Sequence, residues 1–273
     1  MKKISILGLG YIGLPSSAYY SKFDYYVSGF DINKEHIQNL KNSKFYVTEP
    51  GLSSLLKKQI KSNKLEFVEK LTRSDIYIIC VPTPLKKQNK TYKPDLSYLN
   101  KAVKSIKKAG VNSNTLILIE STCPVGTTEK VSKFFSTKNF PMIAYCPERV
   151  LPGNLLKELA SNERVVGGID KRSTEAAFKF YKNIIESKVH KTGSKTAEMC
   201  KLVENSFRDT NIAFANEISL LSDRVGVDPY ELIDLANKHP RVNILEPGPG
   251  VGGHCIAVDP WFLINEFEAT SKL

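Results

Sequence analysis

Two glycine-rich stretches, and the charged residues between them, carry the chemistry open to this chain. The later one, residues 248–259, reads GPGVGGHCIAVD, with four glycines, one cysteine and one aspartate in twelve residues. Gly250, Gly252 and Gly253 let backbone come close to a ligand and adopt positive φ at little steric cost. The Cys255 thiol in such a loop can meet an electrophilic carbon. A glycine-rich turn ahead of a buried structural cysteine is the competing reading, because free cysteines are usually buried hydrophobes. The earlier stretch, residues 8–13, reads GLGYIG, with Asp31 18 residues beyond Gly13. Between a strand and a helix, that spacing is the fingerprint of a dinucleotide-binding turn. Gly8 permits the tight turn, Gly10 lets backbone approach a pyrophosphate, and Gly13 lets helix and strand pack closely. The helix N-terminus stabilises the phosphate charge. Asp31 would accept from the adenosine ribose hydroxyls and repel a 2′-phosphate, so NAD is expected rather than NADP.

Other residues could complete a site. Lys201, Asn205 and Arg208 stand at i, i+4 and i+7, on one face of an expected helix. That stripe is either a solvated face or a row of donors aimed at a ligand. Glu148 and Arg149 lie just past an expected strand, where they form an exposed ion pair or handle a proton and an anionic group. Thr83, Ser121 and Thr122 also follow strand ends, either capping helices or meeting a ligand. No spacing of cysteine and histidine suggests a metal site.

The elements that must position these residues alternate. Apolar β-compatible runs fall at residues 4–7, 26–30, 76–81, 115–119, 142–145, 164–169 and 188–192, with helical stretches at 14–22, 34–42, 51–61, 96–108 and 173–185 between them. The alternation predicts an α/β fold, a Rossmann-like doubly wound parallel sheet over residues 1–192 that binds ligands at its strand-end loops. From about residue 196 a helix of nearly thirty residues begins and stops at Gly226, and a second covers 229–238. Residues 193–273 are therefore expected to form an all-α central domain.

Composition narrows the function classes. With 39 lysines and arginines against 28 acids the formal charge is +11, which suits an anionic partner. That partner could be nucleic acid, a membrane surface or a phosphate-bearing small molecule, but the lysines are spread along the chain and no nucleic-acid motif is present, so solvated lysine faces outweigh nucleic-acid binding. No apolar run reaches about 18 residues, so no membrane span is expected. The opening MKKISIL reads as a first strand rather than a signal peptide, and the closing SKL as a chance match to a targeting tripeptide. The five cysteines are scattered, as in a reducing cytoplasm.

Taken in order, GLGYIG, VPTP, ESTCPVGTTEK, CPERVLPG, AEMCKLVENSFRDTNIAFANE and HPRVNILEPGPGVGGHCIAVDPWF resemble the nucleotide-sugar 6-dehydrogenases, the UDP-glucose/UDP-N-acetyl-mannosamine dehydrogenase family. The last three motifs lie nearest its UDP-N-acetyl-D-mannosamine branch, and the matches cover essentially the whole chain. The resemblance implies a four-electron oxidation of a sugar C6 alcohol to a carboxylate with two NAD, in a homodimeric full-length enzyme. By motif, Cys255 matches the nucleophile, Lys201 the catalytic lysine, and Asn205 the residue that steadies oxyanions with it. Asp259 and Glu148 match acids of water activation and proton transfer, and Thr122 a hydroxyl linked to a site water and the cofactor. Arg149, Val150, Arg208, His239 and Arg241 resemble substrate contacts, together with Lys201, Asn205 and the glycines at 250, 252 and 253. Tyr11, Ile12, Asp31 and Thr83 match NAD contacts. Members that make glucuronic acid carry a second glutamate where this chain has Pro152, which points to a UDP-N-acetyl-hexosamine substrate. The family continues into a third domain that binds UDP, and this chain is expected to be the part preceding it. Two alternatives stand beside this reading: a truncated chain that binds NAD without turnover, and a two-electron 2-hydroxyacid dehydrogenase of similar architecture.

Overall fold

The computed structural model describes residues 1–88, 91–253 and 255–267; the closing SKL lies outside them. Eight strands form one sheet: β1 (Lys2–Leu7), β2 (Tyr25–Phe30), β3 (Leu65–Val68), β4 (Ile76–Ile79), β7 (Leu116–Ile119), β8 (Met142–Tyr145), β9 (Arg164–Gly168) and β10 (Val189–Gly193). A separate pair, β5 (Leu85–Gln88) and β6 (Thr91–Pro94), makes a two-stranded ribbon. The helices are α1 (Gly13–Tyr20), α2 (Lys34–Lys41), α3 (Leu52–Lys61), α4 (Ser97–Ala109), α5 (Thr127–Ser132), α6 (Leu155–Ser161), α7 (Lys171–Lys182), α8 (Ser194–Val225), α9 (Pro229–Ala236) and α10 (Asp259–Phe267).

Two compact units result. One comprises residues 1–84 with 94–199, the other residues 85–93 with 200–273. In the first, the strand order is β10-β9-β8-β7-β4-β1-β2-β3. The central strands IYII and LILI are wholly buried, as parallel strands covered on both faces must be. Their side chains alternate between two cores. Ile76, Ile78, Leu116 and Leu118 join Leu14, Leu52, Leu56 and Phe180, while Tyr77, Ile79, Ile117 and Ile119 join Leu99, Val103, Ile106 and Val131. The doubly wound architecture follows directly. From β1 the order runs to β2 on one side and β4 on the other, and the loops after β1 and β4 part at that switch.

The sheet differs from the expected all-parallel one at a single step among the described residues: β9 runs antiparallel to β8. The intervening segment 146–163 therefore begins and ends at one edge, the carboxyl edge of the parallel strands. Ala144 pairs with Gly168 and Tyr145 with Gly167. Extending that register beyond the ladder sets Glu148 opposite Arg164. Their side chains meet there, with Arg164 Nη2 at 2.7 Å from Glu148 Oε2. Arg164 is only 3% exposed, and its guanidinium lies over the Tyr181 ring at 4.8 Å.

In the second unit, α8 beyond Met199 and α9 are joined at Gly226, whose φ of +74° ends α8 as expected. Asp228 caps α9 through the Tyr230 N–H at 2.8 Å, with Pro229 at the first helical position. The β5–β6 ribbon, which had no counterpart in the sequence reading, belongs to this unit. The Tyr92 ring meets Trp261 with centroids 4.9 Å apart, and the Asn265 amide donates to the Tyr92 carbonyl.

Removing one partner of a buried ion pair leaves an uncompensated charge, which typically costs ~3–5 kcal/mol. Arg164→Met should lower unfolding stability by about that amount, and adding Glu148→Gln should restore part of it. Urea denaturation of the two variants checks both outcomes.

Candidate active site

The site residues fall into both units, and the geometry within each is distinct. In the first unit the glycine loop leaves β1 and enters α1. A Cβ on Gly8 would lie 2.6 Å from the Cys80 carbonyl oxygen, and one on Gly13 only 1.8 Å from the Gly8 carbonyl oxygen. Close backbone packing therefore demands both glycines. Gly10 differs, because nothing lies within 4 Å of the position its Cβ would take. The protein leaves that side of the loop open, the space a pyrophosphate would occupy beside the α1 N-terminus. Asp31, at the end of β2, accepts from the Leu9 N–H at 2.9 Å and the Asn33 N–H at 2.9 Å. One carboxylate thus holds the glycine loop to the next strand and keeps further lone pairs for a ribose. Tyr11 is 40% exposed, and its hydroxyl donates to Glu49. Thr83 lies in the loop after β4. Ser121 turns inward, donating to the Val81 carbonyl at 2.7 Å, while Thr122 beside it is half-buried.

At the carboxyl edge, Glu148 Oε1 accepts the Arg149 N–H at 2.8 Å, while its other oxygen faces Arg164. The Arg149 guanidinium donates to the Glu163 carbonyl, and Val150 packs on the core. Three residues that the sequence reading passed over hold this edge together. Arg164 is the first. Glu120 Oε1 accepts from Tyr20 at 2.9 Å and Tyr181 at 2.6 Å. Burial pushes the Glu120 carboxyl up, with the Arg164 charge pulling against it. Glu198, in the first turns of α8, accepts from the Gly126 N–H at 2.5 Å, the Thr128 N–H at 2.7 Å and the Thr128 hydroxyl at 2.6 Å. It caps the start of α5 and fixes the loop carrying Ser121 and Thr122. A charged residue opening or interrupting an apolar run, as in RVVGG, was the available signal for Arg164.

In the second unit, Lys201, Asn205 and Arg208 lie along α8, with Lys201 half-buried, Asn205 buried and Arg208 exposed. The structure brings Asn205 onto Asp259, its Nδ2 donating to Asp259 Oδ2 at 2.6 Å. Asp259 opens α10 and is 2% exposed. Burial raises its carboxyl above the usual range, against the opposing effects of the Asn205 hydrogen bond and the Lys201 charge. The glycine loop 248–253 is anchored by the Gly248 N–H donating to Asn216 Oδ1 at 2.8 Å, and Gly250 and Gly253 have φ of +106° and +76°, where an L side chain is strained. Nothing lies within 4 Å of a Cβ built on Gly250, Gly252 or Gly253. Cys255 follows with its thiol exposed, and its carbonyl accepts the Asp259 N–H at 2.9 Å. The cysteine turn is thereby fixed to the start of α10. His239 and Arg241 are exposed in a loop that Asn237 closes, its side chain exchanging hydrogen bonds of 2.9 and 2.7 Å with the Ile244 backbone.

Residues 2–185 match the model of the UDP-glucose/GDP-mannose dehydrogenase family, NAD binding domain, and residues 195–272 match that of the family's central domain. The chain belongs to the UDP-glucose/GDP-mannose dehydrogenase family. Its first unit carries the NAD-binding domain, in keeping with the open side of Gly10 and the placement of Asp31. It is 49% identical over 265 residues to a UDP-N-acetyl-D-mannosamine dehydrogenase of Methanocaldococcus jannaschii, covering 97% of this chain and 62% of the relative. A UDP-N-acetyl-D-mannosamine dehydrogenase of Campylobacter jejuni is 43% identical over 284 residues, covering 99% of this chain and 69% of the relative. The solved structure of a UDP-D-ManNAc dehydrogenase from Pyrococcus horikoshii superposes with a TM-score of 0.93 at 40% identity, covering 99% of this chain and 65% of that one. The chain thus spans about 62% of the length of the archaeal relatives it matches. Among the described residues no helix is long and apolar enough to cross a membrane.

The glycine loop separates folding from binding. Gly10→Ala should leave unfolding stability within ~0.5 kcal/mol of wild type yet weaken NAD binding at least about tenfold, a loss of ~1.4 kcal/mol. Gly13→Ala should lower both; calorimetric titration with NAD and thermal melts check the contrast. For Asp259, the native state keeps the proton to higher pH than the unfolded chain, so ionisation removes stability as pH rises from the ordinary aspartate range through the raised native value. Asp259→Asn has no such loss. Its stability relative to wild type should climb across that window and level off above it, as read by denaturant midpoints in a pH series.

Proposed function

We propose that this chain forms the cofactor-binding and central parts of an NAD-dependent nucleotide-sugar 6-dehydrogenase. Its substrate is a UDP-N-acetyl-hexosamine, read as UDP-N-acetyl-D-mannosamine, oxidised at C6 to the uronic acid. The reaction takes place in the cytoplasm and supplies precursors of surface polysaccharide. The observation that carries this reading is the Asn205–Asp259 pair, with Lys201 one turn away on α8 and Cys255 on the turn that opens α10. Relatives named for UDP-N-acetyl-D-mannosamine oxidation, matched over nearly all of this chain, support the substrate class.

Bound NAD supplies the hydride acceptor, held by Gly8, Gly10, Tyr11, Ile12, Gly13, Asp31, Thr83 and Thr122. The chain's own residues supply the rest. As the C6 hydroxyl gives its proton to a site water or base, negative charge builds on oxygen, and the Lys201 ammonium stabilises it. Asn205 gives one amide N–H to Asp259 and has a second for that oxygen. An aldehyde has no readily removed second hydride. The Cys255 thiolate adds to the carbonyl carbon, and in the thiohemiacetal formed the same C–H sits on a tetrahedral carbon whose oxygen can push it off as hydride. The resulting thioester carbon is attacked by water, the C–S bond breaks, and Cys255 returns as thiol beside a free carboxylate. Asp259 takes the proton of that water, and Glu148 serves proton transfer; burial raises the Asp259 carboxyl above its usual range, which suits proton exchange. Arg149, Val150, Arg208, His239, Arg241 and the glycines at 250, 252 and 253 contact the substrate. A homodimer of the full-length enzyme agrees with the apolar side chains that α8 and α9 leave exposed, among them Phe207, Leu220, Leu221 and Leu235.

Two NADH should form for each acid produced, and Cys255→Ser should lower acid formation by at least ~10³-fold, as expected when a nucleophile is removed. Absorbance at the NADH band with quantified product checks both. Full acid formation by Cys255→Ser, or one NADH per product, would sink the mechanism. Saturable NAD binding with no turnover on any UDP-sugar would instead favour a cofactor-binding part that needs the remainder of a longer protein.

A further inference from the structure

Glu49 has no role in the chemistry above, yet it is 8% exposed and spans the first unit. Its backbone carbonyl accepts the Leu52 N–H at 3.2 Å, fixing it to the first turn of α3, whose Leu52 is fully buried. Pro50 restricts the backbone there, and Gly51, at φ +76°, makes the turn. From that anchor the carboxylate reaches two loops that are far apart in sequence. One is the glycine loop, where it accepts from the Tyr11 hydroxyl. The other is the segment after β8, where Oε1 accepts the Gly153 N–H at 2.7 Å and Oε2 the Leu155 N–H at 3.3 Å. Gly153 has φ +91°, so its N–H is presented by backbone that other residues adopt only with strain. Leu155 is buried and opens α6.

The bridge is built to hold at neutral pH. Burial would raise the Glu49 carboxyl, but the Gly153, Tyr11 and Leu155 donors outweigh it and lower the group below the usual range. Burial and Glu49 together push the Tyr11 hydroxyl up to about 12, so it remains a donor. A charged acceptor with three donors is a strong, directional tie.

We propose that Glu49 is a positioning residue that couples the cofactor seat to the substrate-side loop. A dinucleotide seated on the glycine loop fixes Tyr11, Tyr11 fixes the Glu49 carboxylate, and that carboxylate orders the backbone at Gly153 and Leu155. The segment so ordered carries Glu148, Arg149 and Val150. NAD binding therefore sets the loop before the sugar arrives. By reciprocity, an ordered loop tightens NAD binding by the same factor. The inference rests on the reading that residues 148–150 serve the substrate.

Amide hydrogen exchange of residues 146–155, with and without NAD, tests it. NAD affinity is first measured for wild type, Tyr11→Phe, Glu49→Gln and Glu49→Ala, so that each is studied at its own saturating concentration. In wild type, NAD should slow exchange at Gly153 and Leu155 on the order of tenfold, within the usual range of coupling. In Tyr11→Phe and both Glu49 variants that slowing should be lost while NAD is bound. Glu49→Gln preserves shape should Glu49→Ala fail to fold. Equal slowing in all four proteins, or none in wild type with NAD bound, overturns the coupling. Coupling that is present while Glu148 and Arg149 variants turn over UDP-sugar normally would leave the link intact and overturn the substrate reading instead. Wild type that binds no NAD overturns both.

Discussion

Parallel strands cannot be joined by tight turns, and that constraint governs the first unit. Each crossover must carry the chain back to the start of the sheet, so the loops that leave β1, β4, β7 and β8 gather at one edge. The glycine loop, Thr83, Ser121, Thr122 and Glu148 share that edge because of strand direction, although they lie up to 140 residues apart. The antiparallel step between β8 and β9 extends the same logic. It keeps residues 146–163 at the edge instead of passing them across the sheet, and it returns Arg164 to face Glu148.

The polar groups beneath this edge explain how charge can be buried there. Glu148 pairs with the Arg164 guanidinium, whose charge also acts on Glu120, while Tyr20 and Tyr181 donate to Glu120. Burial raises the Glu120 carboxyl, and the Arg164 charge pulls against it. Glu198 and Glu49 do comparable work at the start of α5 and at the Gly153 turn, each answering backbone N–H groups that would otherwise lack partners. Acidic side chains here serve mainly as connectors between loops.

In the second unit the same principle works on a smaller scale. Asp259 is buried at the first turn of α10, and its oxygen is met by Asn205 from α8. That bond and the Cys255 carbonyl, which accepts the Asp259 N–H, bring the helix stripe and the cysteine turn together. A polar stripe on α8 therefore ends in a hydrogen bond for one member, while Arg208 and its exposed neighbours remain in solvent.

The strands with doubly buried apolar runs, from residues 4–7 to 164–169, were legible in the sequence, because burial on both faces favours apolar residues at most positions. The glycine fingerprint was legible as well, since Gly8 and Gly13 are required by backbone contacts that no side chain could accommodate. Strand β3, with its half-buried alternation LEFV, and the lysine-bearing β5–β6 ribbon were not legible, because edge strands and polar hairpins carry little hydrophobic signal. Packing alone fixes that β9 reverses, that Arg164 answers Glu148, that Asn205 meets Asp259, and that Glu49 joins two loops about 140 residues apart. Each of those is a pairing of polar groups across long sequence separations. A periodic pattern fixes which face of an element is buried, but the partner of a buried charge is fixed only once the elements are packed.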